Sequence, residues 1–178
     1  MTSKRTPNQN ALITGAGRRI GRAIAMSLAA AEWHVGVHYF HSSDAAEKVV
    51  GEIQSLGGRA VAMGADLGEA GASSNLIELA GEQLGPLTCL VNNASVFERD
   101  TVSTATRATW DQHMDVNLRA PFELAQAFVR QLPDVEEANI INIIDQRVWN
   151  LTPDFTTYTL SKAGLWELTQ ILARALAP

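Results

Sequence analysis

Short apolar runs alternate with longer amphipathic stretches along most of the chain. The apolar runs have the length of β-strands and predict five of them, at 11–13, 34–39, 59–66, 88–91 and 140–144. Apolar residues at helical spacing predict helices at about 20–29, 43–56, 72–84, 106–132 and 156–176. Such an alternation is typical of a parallel sheet with helices on both faces. We therefore predict a doubly wound α/β fold.

The last predicted helix is apolar around much of its circumference. Its apolar residues include Leu160, Leu165, Trp166 and Ile171. A helix of this kind must be covered. Packing on the sheet and contact with a second subunit both explain the pattern, and the sequence favours neither.

Composition and charge exclude several classes of function. The 178 residues, 46% of them hydrophobic, are enough for one sizeable core, and no linker divides them, so we expect a single domain over residues 1–178. With 14 Lys+Arg against 19 Asp+Glu, the net charge is −5, which disfavours nucleic acid and anionic lipid as partners. No run approaches the ~18 apolar residues that span a bilayer.

The termini and the metal-binding residue types add little chemistry. Met1–Asn10 lacks the apolar segment of a secretory leader, and the single Cys89 cannot form an internal disulfide, so we expect a cytoplasmic protein. The four histidines have no ligand spacing. We therefore expect no metal site.

A glycine-rich turn follows the first predicted strand. Thr14–Gly21 connects that strand to the first helix, where helix N–H groups and the positive end of the helix dipole can meet a dinucleotide pyrophosphate. Gly15, Arg18, Arg19 and Ile20 are the candidate contacts. An ordinary strand-to-helix connection is the alternative, because a glycine-rich turn alone is a weak signal.

The end of the second predicted strand favours NADP(H) over NAD. NAD binding calls for a carboxylate there, to bind the ribose 2′-hydroxyl. The segment His38–Ser43 contains none, and Asp44 is better placed to cap a helix. Arg18 and Arg19 could instead pair with a 2′-phosphate, although they could also be a solvated helix start.

A tyrosine and a lysine stand four residues apart in the last predicted helix. Tyr158 and Lys162 therefore share one helix face. A nearby ammonium stabilises a phenolate, so we expect Lys162 to lower the pKa of Tyr158 and make it a proton donor during hydride transfer. Alone, such a pair is more often a solvated helix face.

Together with its neighbours, this pair identifies a resemblance. The sequence resembles the classical short-chain dehydrogenase/reductase family through, in order, Thr14–Gly21, Asp66-Leu67, Asn92-Asn93-Ala94, Asn117 and Tyr158/Lys162. The resemblance implies a Rossmann-like sheet of seven strands, of which five are present, so the domain is expected to be incomplete at its carboxyl end. It also implies a homo-dimer or homo-tetramer.

The resemblance assigns expected roles to individual residues. Tyr158 and Lys162 would be catalytic, and Asn117 would hold a water that relays protons through Lys162. The cofactor NADPH/NADP would contact the following residues: Gly15, Arg18, Arg19, Ile20, His38, Tyr39, Ser42, Asp66, Leu67, Asn93, Ala94, Ser95 and Lys162.

Three departures from the family pattern resemble the pteridine reductases. Arg19 stands where a glycine is usual, Ser95 where a further glycine is usual, and Asp145 where the family has its catalytic serine. An ionised carboxylate only accepts hydrogen bonds, so Asp145 suits a substrate that presents N–H or takes a proton on an imine nitrogen. Phe97 matches a position where this subgroup stacks an aromatic ring on the substrate. Plain core packing is the alternative for Phe97.

These residues predict an NADPH-dependent reductase of a small-molecule pterin. Its substrate would contact Ser95, Phe97, Asp145 and Tyr158, and Asp145 would join the catalytic set. A carbonyl reductase of 3-oxoacyl thioesters or sugars is the first alternative. The second is an inactive nucleotide-binding or dimerising fragment.

Overall fold

Five parallel strands form one sheet. The computed structural model describes residues 9–133 and 137–177, so parts of the predicted 1–178 domain and of the Met1–Asn10 segment lie outside the described residues. The strands are β1 (Asn10–Ile13), β2 (His34–Tyr39), β3 (Ala60–Gly64), β4 (Cys89–Asn92) and β5 (Asn139–Asn142). Their spatial order is β3-β2-β1-β4-β5, and every neighbouring pair is parallel. The predicted α/β fold is confirmed.

The helices follow the strands nearly as the sequence predicts. They are α1 (Arg19–Ala30), α2 (Ser43–Ser55), α3 (Ala72–Leu84), α4 (Arg107–Met114), α5 (Ala120–Gln131) and α6 (Thr156–Ala175). The prediction of one unbroken helix over 106–132 is wrong, because a π turn at Asp115–Arg119 separates α4 from α5. Apolar residues at helical spacing continue on both sides of this turn, so their pattern does not reveal it.

Alternating strand residues serve two cores, one on each face of the sheet. Ala11 and Ile13 point to the side covered by α1 and α2, whereas Leu12 points to the side covered by α3 and α5. Side chains alternate across a strand, so strands buried on both faces need continuous apolar runs. This requirement explains why the apolar runs in the sequence predicted the strands.

The strand order reverses at β1. After β3 the chain crosses to the other side of β1 and adds β4 and β5 there. In doubly wound sheets, the carboxyl ends of the strands at such a reversal open into a crevice that binds ligands. The ends of β1 and β4 are therefore the first place to look for a site.

Core packing, the first of the two explanations for the apolar helix α6, describes only part of it. Leu165 and Leu168 are buried against the rest of the fold, but Leu160 and Ile171 are 46% and 61% exposed. Core packing therefore explains one face only. Among the described residues, no helix combines the length and hydrophobicity needed to cross a membrane.

Candidate active site

The glycine turn after β1 is packed too tightly for side chains. Gly15 has a φ of +62°, and a Cβ added to Gly21 would lie 2.3 Å from the Gly15 carbonyl oxygen. Arg18 is the N-cap of α1 and makes no side-chain capping bond. Because the first N–H groups of a helix have no partner within it, the turn presents donors to a bound anion.

Arg19 adopts a backbone conformation that favours glycine. Its φ is +50°, in the left-handed region. This is the position where the resemblance leads one to expect glycine. Both Arg18 and Arg19 are exposed and line the crevice, so their guanidinium groups are available to a ligand.

The end of β4 fixes the glycine turn. Thr14 Oγ1 accepts hydrogen bonds from the backbone N–H groups of Asn93 and Ala94, both at 2.9 Å. Asn93 Nδ2 in turn donates to the carbonyl oxygens of Thr14 (2.8 Å) and Gly15 (3.1 Å). The side-chain amide of Asn93 thus positions the turn.

His38 holds the same turn from β2. Its Nδ1 accepts a hydrogen bond from the Gly15 N–H at 3.0 Å, so its Nε2–H donates to the Ala65 carbonyl at 3.1 Å. Burial lowers the pKa of His38, which favours this neutral form. With both ring nitrogens engaged, His38 supports the site rather than donating to a cofactor from its ring.

Two residues predicted to contact the cofactor do not line the crevice. Tyr39 packs against Gly64, and Ser42 precedes α2, while the exposed Phe40 lines the crevice instead. Side chains alternate along extended backbone, so residues 38 and 40 face one way and residue 39 the other. Strand parity therefore predicts Phe40, and not Tyr39, at the crevice.

Asp66 and Leu67 line the crevice beyond β3, as the motif leads one to expect. Asp66 Oδ1 accepts the Gly68 N–H at 2.9 Å, which fixes the turn that follows the strand. Leu67 is buried. Both residues line the crevice, and their contact with the adenine side of a dinucleotide stays a prediction.

Tyr158 and Asp145, which both line the crevice, are joined by a hydrogen bond. The Tyr158 hydroxyl donates to Asp145 Oδ2 at 3.0 Å, and Asp145 Oδ1 accepts the backbone N–H of Arg147 at 2.9 Å. Lys162 donates from Nζ to the Ile143 carbonyl at 2.9 Å. Tyr158 and Lys162 are both buried.

The pKa of Tyr158 is raised, so the prediction that it would be lowered is wrong. Burial, followed by the hydrogen bond and negative charge of Asp145, raises the pKa of Tyr158, and the positive charge of Arg147 opposes this only in part. Burial lowers the pKa of Lys162 to about 8, against the attraction of Asp145. At neutral pH Tyr158 therefore keeps the proton that a donor needs, while Lys162 is still charged.

Asn117 lies in the π turn with its side-chain amide fully used. Its Oδ1 accepts from the Val96 N–H (2.8 Å) and the Ser95 hydroxyl (3.1 Å). Its Nδ2 donates to the Val96 carbonyl and the Ser161 hydroxyl, both at 3.0 Å. An amide makes four hydrogen bonds in all, so this side chain has no capacity left for the expected relay water.

A buried network that the sequence did not reveal fixes the start of α6. Asp100 Oδ1 accepts the Thr157 N–H at 3.2 Å, and Asp100 Oδ2 accepts the Thr157 hydroxyl at 2.5 Å. His113, fully buried, lies 2.7 Å from that hydroxyl and accepts the Glu98 N–H at 3.1 Å. The partners are too far apart in sequence for any spacing to signal them.

Aromatic rings form a wall beside Tyr158. Phe97 stacks on Phe155 with ring centroids 4.5 Å apart and meets the Tyr158 ring edge-on at 4.6 Å. Phe97 is 52% exposed and lines the crevice, so plain core packing does not describe it. Trp149 packs edge-on against Trp166 at 5.3 Å and does not line the crevice.

The crevice is continuous, with a volume of about 750 Å³. It runs from the glycine turn to Tyr158. Predicted site residues brought together in its lining are Gly15, Arg18, Arg19, Ile20, His38, Asp66, Leu67, Asn93, Ala94, Ser95, Phe97, Asp145, Tyr158 and Lys162. Within 9–133 and 137–177, no three histidine, cysteine or acidic side chains cluster as metal ligands would.

Comparisons with known proteins agree with this geometry. A family model described as short chain dehydrogenase matches residues 9–178. A 3-oxoacyl-[acyl-carrier-protein] reductase, FabG, of Staphylococcus epidermidis is 34% identical over 170 residues, which cover 96% of this chain and 70% of that protein.

Solved structures are similar over the same span. FolM alternative dihydrofolate reductase 1 from Brucella canis, complexed with NADP, is 43% identical, with a TM-score of 0.92 over 96% of this chain and 69% of that one. The landomycin C-6 ketoreductase LanV, with bound NADP and rabelomycin, is 36% identical, with a TM-score of 0.88 over 96% of this chain and 71% of that one.

Proposed function

This chain belongs to the short chain dehydrogenase family, and on that premise we propose that it is an NADPH-dependent oxidoreductase that reduces a C=N bond of a pterin. The hydrogen bond from Tyr158 to Asp145 is the observation that carries the proposal. It pairs a proton donor with an acceptor-only carboxylate. The name of the FolM neighbour supports the substrate class, because dihydrofolate contains a pterin ring.

The crevice suits a dinucleotide with a 2′-phosphate. A Cβ at Gly21 would collide with the Gly15 carbonyl oxygen, so glycine lets the start of α1 pack directly on the turn, where the free N–H groups of the helix could bind a pyrophosphate. Arg18 and Arg19 provide charge for the 2′-phosphate, and the FolM and LanV neighbours are both complexed with NADP. Bound NADPH would supply the hydride.

The residues proposed to hold the cofactor all line the crevice. They are Gly15, Arg18, Arg19, Ile20, Asp66, Leu67, Asn93, Ala94, Ser95 and Lys162. His38 would contribute by holding Gly15.

Tyr158 and Asp145 would divide the proton chemistry between them. Tyr158 would give its proton to the ring nitrogen of the C=N bond, and the buried ammonium of Lys162 would stabilise the phenolate that remains. Asp145, no longer accepting from Tyr158, would accept an N–H of the substrate. A pterin presents both kinds of nitrogen close together, whereas a simple ketone presents neither.

Phe97 would orient the flat heterocycle. Its ring is already held by Phe155 on one side and by the edge of Tyr158. Stacking is worth about 1 kcal/mol beyond burial, so we expect it to set orientation more than affinity.

The test is NADPH oxidation with a dihydropterin, in parallel with a ketone and a 3-oxoacyl thioester. The wild type should turn over the dihydropterin, and Tyr158→Phe should lower kcat by about 10²- to 10⁴-fold while NADPH still binds. Asp145→Ser should lower pterin turnover in the same range. Intact pterin turnover in Asp145→Ser would refute the proposed role of Asp145 as the acceptor of a substrate N–H.

A carbonyl reductase is the second candidate, favoured by the similarity to FabG and LanV. Turnover of the thioester or ketone, with Asp145→Ser raising it, would support this reading. NADPH binding without turnover of any substrate would instead support a non-catalytic cofactor binder.

We also propose that the chain works as a homo-dimer or homo-tetramer. Phe122 on α5 and Leu160 and Ile171 on α6 are large apolar side chains that remain 42–61% exposed. A second copy would cover them. Light scattering after size exclusion should give two or four chains, and a monomer at micromolar concentration would refute this.

A further inference from the structure

Arg147 is a cation beside Tyr158 and Asp145, and it has no role in the proposed proton transfer. It lies in a 3₁₀ turn (Gln146–Val148) directly after Asp145, and only its backbone N–H binds that carboxylate. Its guanidinium carbon is 4.6 Å from the Phe155 ring centroid and 5.8 Å from that of Phe97. The side chain thus packs on the stacked pair Phe97–Phe155, of which Phe97 lines the crevice.

The guanidinium has no acceptor among the described residues. Its Nε is buried and makes no hydrogen bond. The nearby Arg99 pairs with Asp154 at 3.0 Å, and three further arginines, Arg22, Arg107 and Arg119, also pair with carboxylates. An unpaired polar group costs free energy, so an anion that reached the guanidinium would gain a partner that no described residue supplies.

The location of Arg147 indicates which molecule brings the anion. Arg18 and Arg19, the cations suited to cofactor phosphates, belong to the glycine turn, whereas Arg147 contacts the ring of Phe97 beside Tyr158. Arg147 is close enough to Tyr158 for its charge to act on that hydroxyl. An anion at Arg147 would therefore belong to the substrate.

We propose that Arg147 binds a carboxylate on the tail of the substrate, so that the site prefers a pterin with an aromatic, carboxylate-bearing tail over one with a short neutral tail. This inference rests on the proposed pterin reduction. The planar guanidinium binds carboxylate through two parallel hydrogen bonds, and the adjacent Phe155 offers an aromatic tail a surface to pack against.

The test compares dihydrofolate, whose tail carries carboxylates, with 7,8-dihydrobiopterin, whose tail is neutral. The ratio of kcat/KM for the two substrates is measured in the wild type, in Arg147→Gln and in Arg99→Gln. Loss of charge-assisted hydrogen bonds should lower the ratio by roughly 10- to 100-fold in Arg147→Gln. Arg99→Gln removes an exposed, already paired arginine nearby and should leave the ratio within about twofold.

A binding measurement makes the test independent of turnover. Calorimetric Kd values of folate and biopterin are taken for the NADP-loaded wild type and both variants. If the wild type reduces neither dihydropterin but Arg147→Gln alone loses its preference for folate, the proposed reaction fails and the carboxylate site stands.

Two results would overturn the inference itself. One is a substrate ratio and a Kd ratio that are both unchanged in Arg147→Gln. The other is an equal loss for both substrates with a displaced pH profile, which would mean that Arg147 acts on Tyr158 and Asp145.

Discussion

Replacing Gly21 by alanine should damage both the stability of the protein and its proposed cofactor binding. The added Cβ would lie 2.3 Å from the Gly15 carbonyl oxygen, 2.5 Å from Asn93 Nδ2 and 2.9 Å from Ala16 Cα. Two of these three neighbours are backbone atoms of the glycine turn. They can move only if the turn itself moves.

The size of the effect follows from this packing. Overpacking of a well-filled site costs about 1–3 kcal/mol, and in a domain of this size each kcal/mol lowers Tm by about 2–4 °C. A Tm decrease of roughly 2–12 °C is therefore expected. The displaced turn also carries the N–H groups proposed to bind pyrophosphate, and a loss of 1.4 kcal/mol there corresponds to a tenfold weaker Kd.

Gly51→Ala is the matched control. Gly51 lies on the exposed side of α2, where an added Cβ meets no atom within 4 Å. Alanine should stabilise this helix by about 0.5–1 kcal/mol and leave the NADPH Kd within about twofold of the wild type. Both variants are compared by thermal unfolding and by NADPH fluorescence titration. A Gly21→Ala protein with the Tm and Kd of the wild type would refute the packing argument.

Three further predictions follow from the polar contacts of the site. Because burial lowers the pKa of Lys162 to about 8, kcat/KM for the reduction should fall above that pH. Lys162→Arg keeps the positive charge at high pH and should remove this fall. His38→Leu leaves the Gly15 N–H without its acceptor and should cost about 1–3 kcal/mol in urea unfolding at pH 7.5. Since the pKa of folded His38 is below that of the unfolded chain, wild-type stability should fall as pH drops below about 6.5, and His38→Leu should lose that part of the slope. Asp100→Ala removes both bonds to Thr157 and should cost about 1–2 kcal/mol by the same assay; an unchanged unfolding midpoint would show that α6 does not need this anchor.

The sequence predicted the order of elements because the central strands are buried on both faces. The runs Ala11–Ile13 and Cys89–Val91 are apolar and buried along their whole length, and the helices between the strands keep a regular apolar period. The edge strand β5 was predicted from the same pattern, although its Ile141 is 47% exposed. The sequence did not predict the π turn at Asp115–Arg119, because apolar residues at helical spacing on either side of it do not report the backbone hydrogen bonds between them. The buried Asn117 lies in this turn.

Some features of the candidate site were also predictable from local sequence, and others were not. Tyr158 and Lys162 were predicted because helical geometry alone puts positions i and i+4 together. The side to which Phe40 and Tyr39 point was predictable from strand parity. The raised pKa of Tyr158 was not, because it depends on the burial of the phenol and on Asp145, which the fold brings within 3.0 Å.

The π turn makes the number of residues in this segment as important as their identity. A π turn contains one residue more than the α-helical turn it replaces. Deleting one residue between 115 and 119 would leave a regular helix, but each residue of a helix turns about 100° around its axis. Either Asn117 would leave its contacts with Val96 and Ser161, or Leu124 and Phe128 would rotate out of the core. Evolution can therefore exchange side chains along this segment more readily than it can insert or delete one.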